Sequence, residues 1–502
     1  MPNISRRRFI EESIFTSAAL AAAMCVGGGT PCSYGQERKV TPNNKLGVLV
    51  VGCGGRSGTH VGQFLSDERV KIVALCDPDS RRVEQVADNI EHKGGYRPKT
   101  FVDMREAIGT PGIDIVSCAT CNHWHALCGI WAMQAGKHAY IEKPICHNIH
   151  EGKALIAAAK KYGVMCQVGS QCRSNPAIKE AFAFANSGGI GEINLTRGLC
   201  YKRRKSIGAL GKYAVPDSVD YSLWSGPAQL VDPPTRPNFH YDWHWQRLYG
   251  NGDLGNQGPH QTDIARTFLG VTDFPSSVIS YGGRLGYQVE RKDDSYIDAG
   301  DTANTEVSIY NYSCGKTLVF ETRGLESEDY RGAKIGVVAY GTEGYLVQVN
   351  YGYCVAYDLK GNVIKEFKGG NDHWHFDNFI SAIINNDYTS LNADARCGHL
   401  SAGLSHIGNI SYYLGENNRV SVVNAEKIIA DIAGTDDNMG TFTRTVAHLE
   451  KNGVDLNKYP ISIGRLLKID PETESFVDDS EATAMETRDY RADFVVPDAT
   501  NV

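Results

Sequence analysis

Leu46-Gly47-Val48-Leu49-Val50-Val51-Gly52-Cys53-Gly54-Gly55-Arg56-Ser57-Gly58 is the stretch that decides the fold. An apolar run rich in valine stops at a glycine turn, and a helical stretch over 60–65 follows. This is the order of a buried strand, a phosphate-binding loop and a helix. The first glycine permits the tight turn, and the second lets backbone N–H groups approach a pyrophosphate at the positive helix N-terminus. The third position of the fingerprint is Ser57, a small residue, with Gly58 beside it.

Working outward, short apolar runs at 71–76, 113–119, 138–141 and 165–168 alternate with helical stretches at 81–90, 125–135 and 149–162. Alternation of this kind predicts a doubly wound parallel sheet, an α/β Rossmann domain over 44–170. Gly136 and Gly163 each fall between a helical stretch and a strand, where C-terminal caps belong. The second strand ends in Asp77, placed to bind a ribose 2′-hydroxyl, which favours NAD. Ser80-Arg81-Arg82 nearby offers a 2′-phosphate site, so NADP stays open.

After Gln171 the texture changes. A helix is expected over 176–186, followed by longer alternating strands at 193–201, 278–281, 305–310, 316–322, 335–340 and 345–349. These suit a mostly antiparallel, open-faced sheet in a C-terminal α/β domain over 171–435. Residues 215–245, rich in Pro, Asp, Trp and Tyr, are too long for an ordinary connection and are expected to line a pocket. Helices are expected near 375–384 and 397–414, and residues 436–502 read as a C-terminal extension that is acidic and poorly periodic from about Pro471 on, with 494–497 able to dock.

The 502 residues are 42% hydrophobic and carry a net charge of -7, enough for two or three domains and without a nucleic-acid footprint. The one basic run, Lys202-Arg203-Arg204-Lys205, reads either as a solvated strand end or as a contact for an anionic or polyol substrate. Ser5-Arg6-Arg7-Arg8-Phe9-Ile10 and the apolar stretch 14–26 have the layout of a twin-arginine (Tat) signal peptide over 1–36. That layout predicts export to the periplasm through the Tat machinery, with an uncleaved membrane anchor as the alternative. The 14 cysteines show no disulfide framework. Cys118 and Cys121 have the spacing of a metal or redox pair but lie at a strand end, and no metal is expected.

Two groups suit hydride chemistry. Lys143, in Tyr140-Ile141-Glu142-Lys143-Pro144, places an ammonium at a strand end to steady an alkoxide. His260 is the candidate base, at the start of a helix for which Asn256 is read as N-cap and Pro259 as a first-turn residue. His123 and His125 at a strand end, His244, His373 and His375 compete with it, each more readily explained by packing.

Together these motifs resemble the glucose–fructose oxidoreductase, inositol dehydrogenase and rhizopine-catabolism family, Gfo/Idh/MocA. The resemblance rests on the 52–58 loop, Ala119-Thr120-Cys121-Asn122-His123-Trp124-His125, Glu142-Lys143-Pro144 and the His260 segment. The 398–401 helix, the 222–227 loop and the tail resemble its exported bacterial branch. It implies NAD(P)-dependent hydride transfer on a sugar or polyol hydroxyl by Lys143 and His260. It also implies a cofactor held by Gly52, Gly54, Gly55, Arg56, Ser57, Asp77, Thr120, Asn122, His125, Glu142, Lys143 and Gln171, and a homo-oligomer formed through the C-terminal sheet. Many members carry an Asp where this chain has Asn256, so a Lys–Asp–His relay is broken unless Asp263 compensates; Cys121 replaces a usual proline. Arg173, Tyr201, Arg203, Trp243, His244 and Asp263 are the expected substrate contacts.

Two other functions remain open. One is glycoside cleavage by oxidation, elimination and reduction with no net redox change; the other is non-catalytic sugar binding on the same fold. Export as a folded protein, away from a nicotinamide pool, predicts a tightly held cofactor and a closed redox cycle.

Overall fold

The computed structural model describes residues 44–502; the leader expected over 1–36, with Cys25 and Cys32, lies outside the described residues. Strands β1 (Leu46–Val51), β2 (Val70–Cys76), β3 (Lys99–Phe101), β4 (Ile115–Cys118), β5 (His138–Ile141) and β6 (Cys166–Val168) form a parallel sheet in the order β3-β2-β1-β4-β5-β6. Every residue of β1 is buried, because helices cover both faces of the sheet, so the strand is an unbroken apolar run. The strand order reverses between β1 and β4, where ligands bind in open α/β sheets.

Local chemistry sets the helix limits. Asn148 accepts a hydrogen bond from the Glu151 N–H at 2.9 Å and starts the helix Ile149–Tyr162; Gly163, at φ 60°, stops it. β3 escapes a sequence reading because Lys99-Thr100-Phe101 is three residues long and has no apolar run.

The second sheet contains β7 (Ile193–Tyr201), β8 (Ser277–Gly283), β9 (Thr305–Asn311), β10 (Thr317–Arg323), β11 (Ile335–Gly341), β12 (Gly344–Asn350), β13 (Tyr353–Asp358) and β14 (Val363–Lys368). Short strands β15 (Arg419–Val420), β16 (Ile461–Ile463), β17 (Leu467–Asp470) and β18 (Ser475–Phe476) complete it. Pairing is antiparallel except between β7 and β10. The helices Pro176–Asn186, Gly258–Leu269 and Ala395–Gly415 pack their apolar residues on one face. On the other face, helices Val422–Ala430 and Asn438–Lys451 cover one end. The half-buried Tyr340, Tyr345 and Tyr357 remain at the other.

Three features differ from the sequence reading. The β13–β14 hairpin was not expected, because Val363 and Ile364 are exposed and β14 buries only Phe367. The helix His373–Asn385, read as part of the second domain, inserts Phe376, Phe379, Ile380 and Ile383 into the Rossmann core beside Val48, Val50 and Tyr140. Its apolar stripe announces a buried face and says nothing about which core receives it. Finally, 436–502 is no loose extension. It supplies a 14-residue helix and two strands that pair with β8, and it sends Phe494, Val496 and Val502 into the Rossmann core. Among the described residues no helix is long and apolar enough to cross a membrane.

Phe376→Ala is expected to destabilise the transition that unfolds the Rossmann sheet by about 3–5 kcal/mol, read as a lower denaturant midpoint. A loss below about 1 kcal/mol would show that this helix merely rests on the sheet.

Candidate active site

A cavity of about 250 Å³ opens at the C-terminal edge of β1, β2, β4 and β5. Gly52 turns the chain at φ 89°, and a Cβ there would lie 2.6 Å from the Ala119 carbonyl oxygen, so no side chain fits. Gly54, Gly55 and Arg56 line the cleft, and a Cβ at Gly55 would touch nothing. The helix Ser57–Ser66 starts at Arg56 without a side-chain cap, so no side chain occupies the helix end that would face an anion. Ser57 donates to the Gly54 carbonyl at 2.6 Å and ties the loop to its helix.

Asp77 is fixed at the rim by the N–H groups of Cys53 at 2.6 Å and Asp79 at 2.8 Å, and burial raises its pKa. Arg82 lines the same end, with its guanidinium 3.6 Å from Asp79. These groups, with the open glycine loop, fit a dinucleotide: amides for the pyrophosphate and a carboxylate for a ribose.

The floor comes from the turns after β4 and β5. Thr120, Asn122 and His125 line the cleft, and Asn122 donates to Asn251 at 3.2 Å. His125 Nδ1 lies 2.6 Å from the Pro144 carbonyl and Nε2 lies 3.1 Å from that of Thr120, so the ring ties the two turns together. His123 sits instead between the carbonyls of Tyr249 and Trp224, and burial drives its pKa to about 3, which makes it a packing residue.

Glu142 is the electrostatic hub. Its Oε1 accepts from Arg56 at 2.7 Å and Gln171 at 3.0 Å, and lies 3.1 Å from His60 Nε2. Burial favours the neutral acid, but Arg56, His60 and Lys143 outweigh it and hold the pKa well below the usual range. Sequence reasoning missed His60, whose only signal was a histidine on the helix that follows the glycine loop. It also missed Asp372, which takes the other side of Arg56 at 3.2 Å.

Lys143 donates from Nζ to the Asn256 backbone oxygen at 2.9 Å and to Asn256 Oδ1 at 3.1 Å. Burial pulls its pKa down to about 8, against the Glu142 charge and with that of Arg56. Asn256 is therefore not the N-cap expected from sequence. It ends the short helix Gly252–Asn256, and Gln257 stands at the cap of Gly258–Leu269 without capping its backbone N–H groups, while Pro259 is in the first turn. His260 Nδ1 is buried without a partner, and burial reinforced by the Lys143 charge drives the ring to about 3.

Trp243 and His244 lie over the cleft, their rings stacked at 3.6 Å between centroids. The other expected substrate contacts lie elsewhere. Tyr201 donates to Glu321 at 2.6 Å on the opposite face of the second sheet, and Arg203 pairs with Glu290. Arg173 and Asp263 pair with each other at 2.7 Å, and Asp263 also accepts from Ser401. Among the described residues no group of three His, Cys, Asp or Glu is arranged to hold a metal ion.

Residues 46–170 match the model of an oxidoreductase family with an NAD-binding Rossmann fold, Gfo/Idh/MocA. The levoglucosan dehydrogenase of Pseudarthrobacter phenanthrenivorans is 28% identical over 55% of this chain and 64% of its own length. A glycosyl hydrolase family 109 protein of Shewanella sp. strain MR-4 is 28% identical over 34% of this chain and 39% of its own. The chain thus spans less than two thirds of either relative. The WlbA dehydrogenase of Bordetella pertussis, solved with NADH and UDP-GlcNAcA, shares the fold at a TM-score of 0.51 and 19% identity. That match covers 72% of this chain and 94% of the other.

Glu142→Gln is expected to lower stability at neutral pH by about 2 kcal/mol, less than for a fully buried pair because the Arg56 side chain is 37% exposed. A depressed carboxylate stabilises the fold above its unfolded pKa, and that contribution is lost as pH falls through the folded one. Wild-type stability should therefore fall below pH 4.5 more steeply than that of the variant. Equal acid slopes in chemical denaturation would show that Glu142 is not the charged hub.

Proposed function

We propose that this chain, as a member of the oxidoreductase family whose Rossmann model matches residues 46–170, moves a hydride between a retained nicotinamide dinucleotide and a carbohydrate carbon bearing a hydroxyl. Gly52, Gly54, Gly55, Arg56 and Ser57 hold the pyrophosphate, Asp77 the ribose, and Thr120, Asn122, His125 and Glu142 frame the rest of the cleft, with Gln171 bonded to Glu142 from behind. When bound, the dinucleotide supplies the hydride acceptor or donor. NAD is favoured by Asp77; Arg82, the group for NADP, is already beside Asp79.

One observation carries the proposal: Lys143 is half-buried at the cleft floor, with two acceptors on Asn256 and a pKa of about 8. A neutral amine directs its two N–H bonds at those acceptors and keeps its lone pair for a substrate hydroxyl proton. The ammonium so formed has a third N–H for the oxygen it came from. A pKa near the working pH makes this exchange effective in both directions. His260, with a pKa of about 3, stays neutral and orients the hydroxyl, so the base role expected of it passes to Lys143. Asn256 keeps the lysine tuned, because a carboxylate in its place would hold the proton more tightly.

Glycoside cleavage by oxidation, elimination and reduction is the second reading, favoured by the similarity to glycosyl hydrolase family 109 proteins. Non-catalytic sugar binding is the third. Export to the periplasm by the twin-arginine route rests on residues 5–26, with anchoring by an uncleaved leader as its variant. A homo-oligomer through the second sheet is supported by the half-buried Tyr340, Tyr345 and Tyr357.

Denaturing the purified protein and identifying the released dinucleotide, then offering sugars and glycosides, separates the readings. Stoichiometric reduction of the dinucleotide marks a dehydrogenase; aglycone release without net reduction marks redox-neutral cleavage; binding without either marks a sugar-binding protein. Lys143→Met should lower kcat by about 10²–10⁴-fold. The oxidative rate should rise through pH of about 8 and the reductive rate fall through it. Asn256→Asp should move both midpoints up by about one unit or more; unmoved midpoints would remove Lys143 from the proton transfer.

A further inference from the structure

The roof of the cleft, residues 215–250, contributes Leu223, Trp224, His240, Tyr241, Trp243 and His244 to its lining. Close to its start the roof is bonded to the Rossmann domain, by Asp220 N–H to the Pro78 carbonyl at 2.9 Å and by Ser80 N–H to that of Ser218 at 3.0 Å. Farther along, a different part of the chain fastens it. Arg491 donates from Nη1 to the Ser222 carbonyl at 2.7 Å and to the Gly226 carbonyl at 3.2 Å, and from Nη2 to the Ser222 hydroxyl at 2.7 Å. Arg488 donates to the Leu248 carbonyl at 2.9 Å, and Gln229 of the roof donates to the Asp489 carbonyl at 3.1 Å.

The fastener itself is anchored. Phe494 meets Trp124 edge-on at 5.4 Å, and Val496 and Val502 are buried in the Rossmann core. Trp124 lines the cleft, donates to the carbonyls of Leu223 at 3.1 Å and Trp224 at 3.0 Å, and lies so close to Gly226 that a Cβ there would fall 2.1 Å from its ring. Roof residues 222–226 are thus gripped by Trp124 and by Arg491.

We propose that residues 486–502 are a latch that keeps the roof shut and slows exchange of the dinucleotide, with Arg491 and Arg488 as its positioning residues. The proposal rests on the dinucleotide reading of the cleft and names the segment responsible for retention. Lifting the roof at 222–226 requires the three Arg491 bonds to break, and lifting it at Leu248 requires the Arg488 bond to break. The bonds of Trp124 and His123 to the carbonyls of residues 223–224 then remain, with nothing holding Ser222 and Gly226 from the C-terminal side, so the roof opens more often.

The test uses the full chain loaded with NADH and diluted into excess NAD, following the loss of bound NADH fluorescence. Arg491→Ala should release NADH about tenfold faster than wild type. Arg491→Lys, which keeps a donor, should fall between them, and the dinucleotide-free proteins should melt together. A chain ending at Met485 should release faster still. If that truncation fails to fold, Arg491→Ala decides alone, because its side chain is outside the core. Release at the wild-type rate from Arg491→Ala and from an Arg488→Ala/Arg491→Ala double variant would overturn the latch. Wild-type protein that binds no NADH would instead overturn the dinucleotide reading, and the latch with it.

Discussion

The rest of the site depends on a half-buried ammonium held by a neutral partner: Lys143 against the backbone and side-chain oxygens of Asn256. Lys143 follows β5 of the Rossmann sheet, and Asn256 ends a short helix of the second domain, so the bond fixes the two domains where they enclose the cleft. Removing a lysine charge from water is costly unless opposite charge and hydrogen bonds offset it. Glu142 provides the charge, and Arg56, His60 and Gln171 keep Glu142 ionised and aimed. A line of polar contacts thus runs from the glycine loop to the lysine, so the loop proposed to hold a dinucleotide also tunes the group beside it.

The Rossmann domain is not a contiguous stretch of chain. The helix His373–Asn385 closes one side of its core, and Phe494, Val496 and Val502 close the other. The first domain is therefore complete only when almost the whole chain has been made. Such interleaving suits the proposed export of an already folded protein, and the cleft roof and its C-terminal fastening belong to the same late-assembled layer.

Much of this architecture was legible because local and global signals agree. β1, β5, β7 and the helices Ile149–Tyr162 and Pro176–Asn186 have the limits read from sequence, since buried apolar runs, an Asn cap, a first-turn Pro and a left-handed Gly mark them. The glycine loop, Asp77, Glu142 and Lys143 were legible as a motif. What the sequence did not disclose are partners. The stripe on His373–Asn385 does not name its core, the docking stretch at 494–497 does not name the Rossmann core that receives Phe494 and Val496, and β14 is too exposed to alternate. Asn256 has the residue type of a helix cap but accepts from a lysine 113 positions away. Tyr201 and Arg203 look like ligands for sugar on paper and are engaged by Glu321 and Glu290 in the fold. Long-range pairing of this kind leaves no trace in spacing.

The most direct test of the tuned lysine is its own titration. Protein labelled with 13C at the lysine Cε, with the resonance assigned by its loss in Lys143→Met, should show Lys143 titrating near pH 8, well below the 10.5 of an ordinary lysine. A midpoint at 10 or above would mean that Lys143 remains a permanent cation throughout the working range, and would contradict its proposed role as the acid–base group of the site.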